Sequence, residues 1–123
     1  MSAVVIYTYS NCSTCRDATK WLRARGVAFE ERPIRETPPS VSELRKMLAF
    51  QGGELKKLFN SSGQDYRDMQ LKDKFPTLTE REALSLMTSR GNLVKRPFLL
   101  APNFGLVGFK PDDWKQAFAK QTL

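Results

Sequence analysis

The sequence predicts an α/β fold in which an open mixed sheet is flanked by helices, in the order βαβ, a helical insert, then ββα. Three observations carry that prediction. A β-branched run, Ala3 to Thr8, precedes a helical pattern and then a second extended run at 27–32. The middle of the chain holds two Ser/Thr-x-x-Glu boxes, each ahead of apolar residues at helical spacing. Near the C-terminus two apolar runs are separated by a turn signal and followed by a proline-initiated helix.

Ala3 to Thr8 is short, β-branched and bounded by polar turn residues, as a buried strand should be. From Ser13 to Arg25 the apolar residues Ala18, Trp21, Leu22 and Ala24 recur roughly at helical spacing, with Lys and Arg gathering toward the end and Gly26 placed to cap it. Val27 to Arg32 reads as the second strand. Strand, helix and strand in so short a span imply a parallel pair joined by a right-handed crossover.

Pro38-Pro39 prevents a helix from running through the connector at 33–39. Ser40-x-x-Glu43 then opens a helix through Val41, Leu44, Met47, Leu48 and Phe50, which should stop at Gly52-Gly53. Residues 54–59 read as a short basic turn or helix, Asn60 to Gly63 as a break, and 65–71 as another short helix. Thr79-x-x-Glu82 opens the last helix of the insert, ending near Gly91. Phe98 to Ala101 and Leu106 to Phe109 form a hairpin around Asn103-Phe104-Gly105, and Pro111 to Lys120 form an amphipathic helix with Trp114, Ala117 and Phe118 on one face. This order is the thioredoxin-type arrangement, expected as one domain over 1–123 with a helical insert at about 40–91.

Composition narrows the chemistry. A chain of 123 residues with 41% hydrophobic content can bury one real core. There is no histidine, and Cys12 and Cys15 are the only cysteines. Cys–His catalysis and Cys/His zinc sites are thereby excluded, and no metal or bound cofactor is expected. No secretion signal or membrane-length apolar run is visible, so the expectation is a cytoplasmic monomer. The net charge of +7 suits an acidic surface or an oxyanion, but no basic-aromatic stripe marks a nucleic-acid site.

Cys12-Ser13-Thr14-Cys15 lies between the first strand and the first helix. A helix N-terminus offers unpaired amides and the positive end of the macrodipole, which favour Cys12 as the thiolate, its nucleophilic form. Cys15, one turn inside, suits the resolving role. Arg16 follows immediately and would either add positive charge there or be an ordinary solvated helix residue. Pro97 belongs at a strand start because it cannot donate to the ladder, and in a thioredoxin-type sheet it would face the cysteine turn. Arg96 would then stabilise the thiolate or a bound oxyanion. Catalytic roles are therefore expected for Cys12, Cys15 and Arg96, and substrate-facing positions for Asn11, Ser13, Thr14, Arg16, Asn60 and Pro97. For Asn60 an ordinary turn role is the competing reading.

Three separated motifs carry a family resemblance: Tyr9 to Arg16; Leu58 to Gly63 with Tyr66-Arg67; and Lys95-Arg96-Pro97 with Val107-Gly108-Phe109. Together they resemble the arsenate-reductase-like (ArsC/Spx) family. The resemblance implies a thioredoxin-like fold, a redox-active cysteine at Cys12 and an arginine near it at Arg96. It also implies two further oxyanion-binding arginines, but Asn60-Ser61-Ser62 and Phe109-Lys110-Pro111 stand where they would fall. Oxyanion capture should be weaker without those guanidinium forks.

Two functions follow, beside a blander reading in which a family member keeps the redox pair without a strong catalytic role. The first is a thiol–disulfide oxidoreductase using the Cys12/Cys15 pair, with glutathione or thioredoxin as external reductant and arsenate reduction not its main activity. The second is implied by the resemblance of the two-cysteine motif to the Spx branch: a redox-sensing regulator that binds the RNA polymerase α subunit. Gly52-Gly53 would belong to that surface, or would simply end a helix.

Overall fold

A computed structural model of the chain describes residues 3–120. The elements run β1 (Val5–Thr8), α1 (Ser13–Ala24), β2 (Glu30–Pro33), α2 (Val41–Phe50), α3 (Gln64–Asp68), α4 (Leu71–Lys74), α5 (Glu80–Ser89), β3 (Phe98–Leu100), β4 (Gly105–Val107) and α6 (Pro111–Lys120). The sheet order is β2-β1-β3-β4, with β2 parallel to β1 and the other pairs antiparallel. This is the mixed sheet with helices that the element order predicts. None of the described helices is long and apolar enough to cross a membrane.

Alternation along the strands divides the core in two. Val4, Ile6 and Leu99 pack with Ala18 and Leu22 of α1 and with Trp114 of α6. Tyr7, Phe98 and Leu100 turn the other way, onto Leu44 and Met47 of α2 and Leu84 and Met87 of α5. The period of two in β1 and β3 thus puts α1 and α6 on one face and the insert on the other.

The helix ends follow their local chemistry. Ser40 with Glu43, and Thr79 with Glu82, each form a reciprocal capping box. Helix α1 closes with Gly26 N–H on the Arg23 carbonyl and Val27 N–H on the Leu22 carbonyl, both at 3.0 Å, and Gly26 takes the left-handed φ of +69° that this closure requires.

Three details differ from the sequence-based expectation. Pairing of β2 begins only at Glu30, whose N–H meets the Val4 carbonyl at 2.9 Å, while Val27 and Phe29 pack on the α1/α6 cluster before the strand starts. The helix expected over 65–71 breaks at Gln70, which has φ +53°, so α3 and α4 are separate. Strand β4 spans Gly105–Val107 rather than Leu106 to Phe109, ending where Gly108 takes a left-handed φ of +71°.

Both outer strands have obstructed edges. β2 carries Glu30, Glu31 and Arg32 and ends in Pro33, which lacks an N–H. On β4 the Gly105 carbonyl accepts Gln51 Nε2 at 3.0 Å.

The insert is stitched to the lead-in of β3. Asn60 N–H donates to the Leu93 carbonyl at 2.8 Å and Lys95 N–H to the Leu58 carbonyl at 2.7 Å, around a bridge between Phe59 and Val94. Gly91 lies against the chain leaving β2, so closely that a Cβ there would fall 1.8 Å from the Ile34 carbonyl oxygen. These contacts carry the Asn60 loop to the segment that bears Arg96.

Candidate functional site

Cys12 is the N-cap of α1. Its backbone is extended (φ −128°, ψ 109°), which turns its side chain back over the first helical turn, and its Sγ accepts the Cys15 N–H at 3.2 Å. The Cys12 sulfur thus sits against the first-turn amides of α1, at the positive end of the helix macrodipole. Arg16 Nη1 donates to the Ser10 carbonyl at 3.0 Å and fastens the preceding loop. That places Arg16 in a loop-holding role.

Both cysteines are free thiols; Cys12 is half-buried and Cys15 is buried. Burial pushes the Cys15 thiol up to about 12, and the neighbouring Cys12 sulfur pushes it the same way, against the Tyr9 backbone and the Arg96 charge. Cys15 is thus held as the neutral thiol behind Cys12. This has a consequence for stability. An unfolded Cys15 loses its proton near its ordinary value of 9.0 while the folded one keeps it to about 12, so rising pH over that window favours the unfolded chain. The reduced protein should lose up to about 1.4 kcal/mol per pH unit more than Cys15→Ala above pH ~9. Urea unfolding of the two proteins at pH 8.5 to 10.5, values spanning about the start of that window, checks this.

The Arg96–Pro97 peptide is cis, and the Pro97 carbonyl accepts the Gly108 N–H at 2.9 Å. The Arg96 guanidinium lies over the Tyr9 ring, 4.7 Å from its centroid. Its Nη1 is buried and has no hydrogen-bond partner among the described residues. A cavity of about 650 Å³ opens beside it, and Cys12, Thr14, Asn60 and Arg96 all contribute to its wall. The fold therefore brings those four together. Asn11, Ser13 and Arg16 are exposed and outside this wall, and Pro97 is buried behind Arg96.

Asn60 lines the cavity, but its side chain is engaged in its own loop. Nδ2 donates to the Asn92 carbonyl at 3.4 Å and Oδ1 accepts from Ser62 Oγ at 3.4 Å. Sequence reasoning overlooked Tyr9 as the platform for Arg96. It also overlooked Lys56, Lys57 and Lys110 on the cavity wall, which converge from distant segments. Among the described residues no group of three or more His, Cys, Asp or Glu side chains gathers to hold a metal.

The ArsC family model matches residues 7–117. The chain belongs to the ArsC family. This ArsC-family chain is 41% identical to the uncharacterized protein YusI of Bacillus subtilis over 95% of its length and 99% of that protein. It is 28% identical to an arsenate reductase of Escherichia coli, covering 98% and 90% of the two chains. Over 98% and 94% of the two chains it is 24% identical to the regulatory protein MgsR of Bacillus subtilis. The crystal structure of an ArsC family related protein from Bacteroides fragilis is 39% identical and superposes with a TM-score of 0.87, covering 93% and 96%. Its relatives thus include both a reductase and a regulator.

Proposed function

We propose that this protein is a thiol–disulfide oxidoreductase, acting as a monomeric single domain in the cytoplasm. Cys12 attacks, Cys15 resolves, and Arg96 supplies positive charge beside the reacting sulfurs. The observation that carries this reading is the Cys15 N–H on Cys12 Sγ. That contact holds the two cysteines one helical turn apart, with Cys12 toward the cavity and Cys15 sealed behind it. Exchange requires such an asymmetry: an accessible thiolate to attack and a protected thiol that reacts only once a mixed disulfide has formed. An external thiol reductant, glutathione or thioredoxin, returns the pair to the dithiol. Arsenate is a poor fit, since Asn60 and Lys110 lack the fork geometry that clamps an oxyanion.

The test is equilibration of the protein with dithiothreitol or glutathione redox buffers, with quantitation of the Cys12–Cys15 disulfide. A potential between about −180 and −320 mV is expected, the range in which cellular thiol systems exchange electrons. Failure to form an intramolecular disulfide under any of these buffers overturns the reading.

MgsR among the relatives favours a second reading, a redox-gated regulator that binds the RNA polymerase α subunit. Retention of that subunit on the immobilised protein in only one of the two redox states would select it.

A further inference from the structure

The cavity over Cys12 is strongly cationic, and disulfide exchange alone makes no use of that. Lys56 and Lys57 come from the turn after α2, Lys95 from the lead-in to β3 and Lys110 from the lead-in to α6. Arg96 adds a further positive charge, and Asp113 is the one carboxylate on the wall among the described residues. All four lysines are exposed. Lys57 pairs with Glu54 at 3.7 Å, but both side chains are more than half exposed, and such pairs neutralise little. Arg96 Nη1, buried without a partner, still requires an acceptor.

The spread of these charges discriminates among anions. A compact tetrahedral oxyanion is held by converging forks in a tight pocket. Here a single guanidinium sits in a cavity of about 650 Å³ whose other cations are ammonium groups on long stems from three segments. Point charges around a wide mouth match several carboxylates distributed along a chain.

We infer that the substrate reduced at Cys12 is an acidic polypeptide disulfide, whose carboxylates meet Lys56, Lys57, Lys95 and Lys110 while one occupies the free side of Arg96. This rests on the exchange reading above and names its substrate class. The Cys12 thiolate attacks one sulfur of the substrate disulfide, forming a mixed disulfide and breaking the substrate S–S bond. The departing substrate thiolate takes the Cys15 proton. Cys15 sulfur then attacks Cys12 Sγ, and the second substrate sulfur leaves as a thiolate. Two electrons pass to the substrate, and the protein ends as the Cys12–Cys15 disulfide.

The experiment uses the reduced full chain and two peptides, each with one internal disulfide, identical except for aspartates or lysines flanking the cysteines. Single-turnover reduction is followed at low and high salt. The acidic peptide should react about tenfold faster at low salt, with the ratio falling toward one at ~0.5 M salt as screening removes steering. The Lys56→Glu/Lys57→Glu double variant, and separately Lys110→Glu, should each lower that ratio severalfold. Equal rates for the two peptides at low salt overturn this inference and leave disulfide exchange standing. No reduction of either peptide overturns the exchange reading itself. Oxidised glutathione is the small-molecule arm: slower turnover than the acidic peptide supports a polypeptide, and faster turnover overturns that assignment.

Discussion

Cys12→Ser will abolish disulfide exchange, with a loss on the order of a thousandfold or more, because a serine hydroxyl at neutral pH offers neither the charge nor the nucleophilicity of a thiolate. Cys15→Ser will behave differently. Its Cys12 still caps α1 by accepting the residue 15 amide, a backbone contact that the substitution leaves in place. The first attack therefore proceeds, and with no second sulfur to resolve it the mixed disulfide should accumulate as a stable adduct. Intact-mass measurement after exposure to a disulfide substrate separates the two variants: no adduct for Cys12→Ser, one equivalent for Cys15→Ser. Full turnover by Cys12→Ser would remove Cys12 from the chemistry altogether.

Gly91→Ala will be the most damaging single methyl addition to the fold. The added Cβ would lie 1.8 Å from the Ile34 carbonyl oxygen and 2.7 Å from its carbon, both backbone atoms that no rotamer change can move. Relief requires the 91–93 turn and the chain after β2 to separate, which strains the stitches at Leu93 and Lys95. A loss of about 3 kcal/mol is expected, the upper part of the range for overpacking, with a fall in Tm of about 10 °C. Thermal unfolding followed by circular dichroism checks it. Because those stitches position the Asn60 loop beside Arg96, the exchange rate of whatever remains folded should fall as well.

Local signals predicted the parts of this molecule that are determined locally. The capping boxes at Ser40/Glu43 and Thr79/Glu82 form because each places an acceptor and a carboxylate three residues apart, with no need of the remaining chain. The cap at Cys12 follows from the same kind of information. Strand β2 was misplaced because its apolar residues, Val27 and Phe29, serve the core before the pairing starts, while the paired residues are charged and lie at an edge. Arg96 was legible as a residue near the cysteines. Its stacking on Tyr9 was not, since the two are distant in sequence and meet only through sheet register. The lysines were hidden for the same reason: the net charge announced an excess of cations, and only the folded chain shows where some of them converge.

The obstructed outer strands limit how anything can be recognised. In β2 the residues alternate between facing β1 and facing outward, and Glu30 faces β1, so the outward main-chain groups belong to Glu31 and to Pro33, which has no donor. In β4 the outward carbonyl of Gly105 is already occupied by Gln51. A foreign strand approaching either side meets an interrupted run of main-chain donors and acceptors, which disfavours pairing by extension of the sheet. If the lysines around the cavity mouth carry recognition, as inferred above, selectivity should fall with rising ionic strength in a way that main-chain pairing would not show.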